Sequence, residues 1–165
     1  MKGLYKRFLL LLPLLSIFLF SCGGAENPAA PYGSTITISP CSVSVEYSEA
    51  TMTVTVNDEE VEYTWFGPVW YPQYYTIVVT DEKGKPMDGI KLNISYLWAS
   101  SSQFYAVQFY HNGEMVSSPL TVKTDKYGTY RLRLDFLVGA GEYKADVEVR
   151  SGANFGSCTF EVKKK

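Results

Sequence analysis

The chain has 165 residues, with 15 basic and 17 acidic side chains, one histidine and three cysteines. That length suits one well-cored domain rather than two, and the acidic excess argues against nucleic acid as a partner, because phosphate recognition needs a basic surface. No Lys or Arg occurs between residues 8 and 82, so that stretch carries only acidic side chains.

At the N-terminus, Lys2, Lys6 and Arg7 precede an apolar run from Phe8 to Phe20. The run is shorter than the ~20 residues of a membrane-spanning helix and has the layout of a secretory signal. Ser21 directly before Cys22 resembles the lipobox of bacterial lipoproteins. The resemblance implies that residues 1–21 are a signal peptide, that Cys22 becomes a lipid-bearing N-terminus, and that the protein sits in the cell envelope. In a cell with two membranes it implies the outer one. An ordinary signal peptide or an uncleaved anchor is the alternative. Cleavage before Cys22 would take three of the fifteen basic residues and none of the seventeen acidic ones, leaving a net charge of −5. Anionic lipid would not attract such a chain, so the membrane contact would rest on the acyl groups, and stable anchoring takes more than one chain. Residues 22–33, rich in Gly, Ala and Pro, read as a flexible tether, with the folded domain expected over 34–165.

With Cys22 lipidated, Cys41 and Cys158 have one possible pairing, in a compartment where a disulfide persists; two free thiols are the alternative. From Ser34 onward the dominant period is two, which signals strands. Val43, Val45 and Tyr47 alternate with Ser44 and Glu46, and Cys41 shares their parity. Met52, Val54 and Val56 alternate with threonines. Ile90, Leu92, Ile94, Tyr96 and Trp98 form a third series, and Tyr130, Leu132, Leu134 and Phe136 a fourth, against Arg131, Arg133 and Asp135. Tyr143, Ala145, Val147 and Val149, then Cys158, Phe160 and Val162, complete the set. The parity of Cys41 and Cys158 points both thiols toward one core. Turn residues at 57–60, 81–86, 111–114, 125–128 and 139–141 separate these runs, with Asn112-Gly113 favouring a tight hairpin. One apolar and one wet face per strand predicts an all-β, immunoglobulin-like antiparallel sandwich of about seven to nine strands.

The turn Asp81-Glu82-Lys83-Gly84-Lys85-Pro86-Met87-Asp88-Gly89 resembles the D-x-x-G-x-P-x-x-G turn near the start of intimin/invasin-type bacterial immunoglobulin-like domains. Thr124-Asp125-Lys126-Tyr127-Gly128-Thr129 resembles their T-D-x-x-G-x strand opener, and Ala140-Gly141-Glu142-Tyr143-Lys144-Ala145 their step into the penultimate strand. The resemblance covers about residues 75–162. It implies a spacer or adhesive module without shared catalytic residues.

The segment from Trp65 to Tyr75 is dense in aromatics and interrupted by Gly67, Pro68 and Pro72, which argues against one regular strand. As a rigid loop, Trp65, Phe66, Trp70, Tyr71 and Tyr74 could meet sugar rings or anchor a protein, with Trp98 on a second wall. The competing reading packs them over an open end of the sandwich. Asp58, Glu59, Glu60 and Glu62 lack the alternate spacing and glycine of a calcium loop and read as a solvated turn. His111, beside a hairpin, reads as a surface residue. No zinc, haem, phosphate-loop or nucleophile-elbow pattern occurs, so no cofactor is expected. The chain reads as a non-catalytic envelope protein with a structural or protein-interaction role; the alternative is a carbohydrate-binding module using aromatic loops.

Overall fold

The computed structural model describes residues 28–65, 67–100 and 106–165, with the backbone alone at 98–100. Twelve strands and no helix occur among these residues. The first six are β1 (Thr35–Ser39), β2 (Ser42–Tyr47), β3 (Thr51–Val56), β4 (Glu59–Thr64), β5 (Val69–Thr80) and β6 (Lys91–Ser100). The rest are β7 (Val107–His111), β8 (Glu114–Val116), β9 (Leu120–Lys123), β10 (Thr129–Val138), β11 (Tyr143–Ser151) and β12 (Asn154–Lys164). They form a five-stranded sheet in the order β1-β5-β10-β7-β8 and a seven-stranded sheet in the order β4-β3-β2-β12-β11-β6-β9.

Period-two patterning puts Ile36, Ile38, Tyr75, Ile77, Val79, Leu132, Leu134, Phe136 and Val138 on the inner face of the first sheet. Val43, Val45, Ala145, Val147, Val149, Phe160 and Val162 do the same in the second. The layers meet at Phe136 and Phe160, whose rings stack in parallel with centroids 3.4 Å apart. The result is an immunoglobulin-like β-sandwich.

The strand count exceeds the seven to nine expected, for local reasons. The opening segment divides at Pro40: β1 pairs antiparallel with β5, whereas β2 pairs parallel with β12 in the other sheet. Asn57 and Asp58, with φ of 48° and 68°, form a two-residue turn that sends β4 back along β3. Glu59 and Glu60 therefore lie in a strand rather than a turn. All six residues of β4 are exposed, so no burial rhythm announces it. The Asn112-Gly113 turn joins β7 to β8 as expected, pairing His111 with Glu114.

The aromatic segment is the main departure. Val69–Thr80 is one twelve-residue strand with Pro72 inside it. Pairing with β10 is continuous from Val69 to Val78, whereas β1 covers β5 only from Thr76 to Thr80. The Val79 N–H reaches Gly128 O on the β10 side. Backbone groups alternate sides along a strand, so the Pro72 nitrogen faces the uncovered flank, where no ladder bond is lost. On that same flank the Gln73 amide donates to Tyr74 O at 2.9 Å. Proline and glutamine together blunt an edge that would otherwise template pairing with another chain.

Cys41 and Cys158 are joined across a separation of 117 residues. Cys158 is buried in β12, while Cys41 is exposed just before β2 rather than inside the core as parity suggested. The turn at Pro40 resets the alternation. In the chain-entropy treatment a loop of this size contributes about 4–5 kcal/mol. Composition assigned Pro28–Gly33 to the tether, yet they dock. Pro28 O accepts from Lys91 N at 3.0 Å, and Ala30 N donates to Ser151 Oγ at 2.8 Å. Asn154 Nδ2 holds Pro31 O at 2.7 Å. The chain thus enters at the pole formed by the β11–β12 turn.

Candidate functional site

Two of the six sequence-nominated aromatics, Trp65 and Tyr71, serve the core. Trp65 is buried; its ring meets Tyr47 edge-on at 5.6 Å and its Nε1 donates to Ser48 O at 3.0 Å. Gly139, at φ 92°, leaves room for that ring, which a Cβ there would overlap. Tyr71 shares the inward parity of Gln73 and Tyr75, and burial pushes its hydroxyl above the usual phenol range, with Tyr63 adding to the effect. Burial does the same to Tyr75 and Tyr143. These side chains plug the sandwich and offer no ligand face. Phe66 and the Trp98 side chain lie outside the described residues, as does Cys22.

Trp70 and Tyr74 have the opposite parity and face outward from β5. Strand register builds a grid around them. One row runs Tyr74, Arg133, Tyr110 and Met115 across β5, β10, β7 and β8. The next runs Pro72, Asp135 and Gln108; a third pairs Trp70 with Leu137. Tyr74 is 60% exposed and Met115 64%, whereas Asp135, although on the outward side, is only 4% exposed.

Arg133 accounts for that burial. Its Nε and Nη2 donate to the two Asp135 carboxylate oxygens at 2.8 Å each, a bidentate pair. The guanidinium lies over the Tyr110 ring, 4.4 Å from its centroid, and Tyr110 OH donates to Gln108 Oε1 at 3.2 Å. A bidentate, ring-stacked arginine is nearly immobile, so a ligand that meets it costs little side-chain entropy. A shallow groove of about 560 Å³ lies at the neighbouring sheet margin, where Trp70, Gln108, Met115, Ser117 and Ser118 meet Tyr96 of β6 and the core residues Val107 and Phe109. Outward positions of β1, β5, β7 and β10 carry no Lys or Glu. Aromatics, Met and Arg without Lys or Glu make up the composition of recognition surfaces.

Sequence reasoning singled out Trp70 and Tyr74 but not Tyr110, Gln108, Arg133 or Asp135 as site residues. The Arg-x-Asp spacing on the wet side of β10 was a usable signal; its convergence with two tyrosines depends on register, which one sequence does not display. His111 is half-buried beside its hairpin, with Nδ1 2.8 Å from Tyr130 OH. Among the described residues no three of His, Cys, Asp and Glu converge as a metal site.

No protein-family model matches the chain, and no curated protein sequence matches it. Solved structures similar to it include PapD-like domain 7 of human CEP192, at 12% identity and a TM-score of 0.42, covering 88% of this chain and 96% of that one. A conjugative transposon lipoprotein from Bacteroides eggerthii matches at 11% identity and 0.42, covering 79% and 98%. A glycosyl hydrolase family 2 member from Bacteroides cellulosilyticus matches at 14% and 0.39, covering 72% of this chain and 18% of that one. Likenesses this distant carry no residue or activity across.

Proposed function

We propose that the chain is a non-catalytic, lipid-anchored protein of the cell envelope, tethered through Cys22 and held at the outer membrane where the cell has one. Its immunoglobulin-like domain, of the intimin/invasin-like kind, acts as an interaction module. The Tyr74–Arg133–Tyr110 row with buried Asp135 is the observation that carries this reading, because a solvent face needs no pre-ordered aromatic and arginine cluster for stability alone.

Position supports it. Residues 28–31 dock at the β11–β12 pole, so a tether preceding them would leave from there, and Trp70 and Leu137 lie toward the opposite pole. An eleven-residue strand such as β12 spans about 35 Å, so the platform would be held well clear of the membrane.

Two measurements test the reading. Labelling cells with a palmitate analogue should mark the protein and fail with Cys22→Ser; equal labelling of the variant overturns the anchor. A photo-crosslinker at position 74 should capture a discrete envelope component on intact cells, while the same group at Phe155, on the other sheet, captures none. Identical patterns from both positions overturn the interaction role.

A further inference from the structure

The geometry points to the outer face of the five-stranded sheet as a binding site for a neutral glycan chain, with one sugar ring lying on Tyr74, the next against the Arg133 guanidinium that covers Tyr110, and hydroxyls meeting Arg133 and Gln108. This deepens the interaction role and rests on it.

Shape comes first. Tyr74, Arg133 and Tyr110 are direct register partners on three neighbouring strands. Adjacent strands lie about 4.8 Å apart, so the strip runs about 10 Å across three strands, from the exposed Tyr74 phenol to the Arg133 guanidinium stacked on Tyr110. A protein hot spot usually fills a desolvated pocket. A strip of this kind instead suits a ligand that is itself a row of flat rings, whose C–H faces lie against the Tyr74 phenol and the flat guanidinium beside it.

Charge narrows the class. Within the strip, Asp135 already neutralises Arg133 at 2.8 Å, and its carboxylate would oppose a phosphate, sulfate or uronate there; Arg131, the other outward cation of β10, lies one row away opposite Thr76. The whole chain is acidic as well, at −2 by formal count, which disfavours anionic polymers. A guanidinium has five N–H donors, and two serve Asp135. The other donors suit neutral acceptors such as hydroxyl and ring oxygens. The Gln108 carbonyl is fixed by Tyr110, leaving its amide group to donate.

The test uses the full-length protein in mild detergent, run through native gels cast with neutral polysaccharides (starch, xylan, mannan and mixed-linkage β-glucan) or with anionic ones (alginate and polygalacturonate). At least one neutral gel should retard the protein. Tyr74→Ala should weaken that retardation about tenfold, in the range of a hot-spot truncation. The paired change Arg133→Gln with Asp135→Asn, which strands neither partner, should do likewise. Phe155→Ala on the opposite face should leave it unchanged. No retardation in any neutral gel, retardation by the anionic gels alone, or retardation that survives Tyr74→Ala would overturn the proposal. If the gels fail while position 74 still crosslinks an envelope protein, the interaction role stands and the glycan assignment falls.

Discussion

Outward positions of the seven-stranded sheet hold Ser42, Ser44, Thr53 and Thr55, with ion pairs strung along single strands: Glu148 with Arg150 at 2.9 Å and Glu161 with Lys163 at 2.8 Å. Outward positions of the five-stranded sheet hold Trp70, Tyr74, Tyr110 and a carboxylate sealed beneath an arginine. Both faces are the wet sides of strands alternating around one core. Each even has an arginine over a ring, but Arg150 sits 5.7 Å from the Phe155 centroid, against 4.4 Å for Arg133 and Tyr110. The Arg150 side chain is 58% exposed and that of Arg133 37%. The difference teaches that alternation decides which residues are outside, while cross-strand register decides whether they form a surface. Screened pairs on the larger sheet add little order; the smaller sheet's cluster is held by buried and stacked groups.

The largest expected effect spares the contrast between the faces. Cys41→Ala with Cys158→Ala removes the link between β12 and the short connection that leads from β1 in one sheet to β2 in the other. Equilibrium denaturation should show a loss of about 4–5 kcal/mol. Near-ultraviolet dichroism should report both sheets loosening together. A loss confined to the seven-stranded sheet would break the idea of one shared core.

That core was legible from the sequence because burial in a sandwich is a local, period-two property. Leu132, Leu134 and Phe136 announce their direction from spacing alone, as do Val45, Val147 and Phe160. Turn chemistry was legible for a related reason: Asn112-Gly113 fixes a hairpin through backbone preference. What failed was whatever depended on neighbours. Pro72 looked like a strand breaker, but it sits where β1 does not reach. Exposed β4 has no rhythm of its own, and Cys41 lost its parity to a turn at Pro40. Of the nominated aromatics, Trp65 and Tyr71 turned inward while Trp70 and Tyr74 turned out. The partners that give Tyr74 meaning, Arg133 and Tyr110, lie 59 and 36 positions away in sequence.

A smaller effect separates the faces directly. Asp135→Ala strips the hydrogen bonds from a buried site and frees Arg133, which should cost roughly 1–3 kcal/mol. Glu148→Ala removes a comparable pairing at the surface and should fall within about 0.5 kcal/mol of wild type. Equal losses in chemical denaturation would mean that the Arg133 cluster is no more ordered than a surface ion pair.

The smallest effect concerns acid, and it too should fall unevenly. Asp81 Oδ1 accepts the backbone N–H groups of Lys83 and Lys85, and Asp125 Oδ1 those of Tyr127 and Thr129, each at 2.9 Å. These bonds hold both carboxyls below the ordinary value of 3.8, that to Lys85 leading for Asp81 and that to Thr129 for Asp125. A carboxyl whose pKa falls on folding stabilises the native state above its unfolded value, and the gain disappears as pH drops through the lower, folded value. The contribution is therefore complete near neutrality and fades only below about pH 4. One turn closes the end of β5 and the other opens β10, the two strands that supply most of the platform. On acidification, amide signals of β5 and β10 should weaken before those of β11 and β12. The melting-temperature gap between wild type and the Asp81→Asn, Asp125→Asn double variant should narrow over the same range. Uniform weakening in both sheets, or a gap that stays constant down to pH 3, would show that these turns do not hold the platform strands.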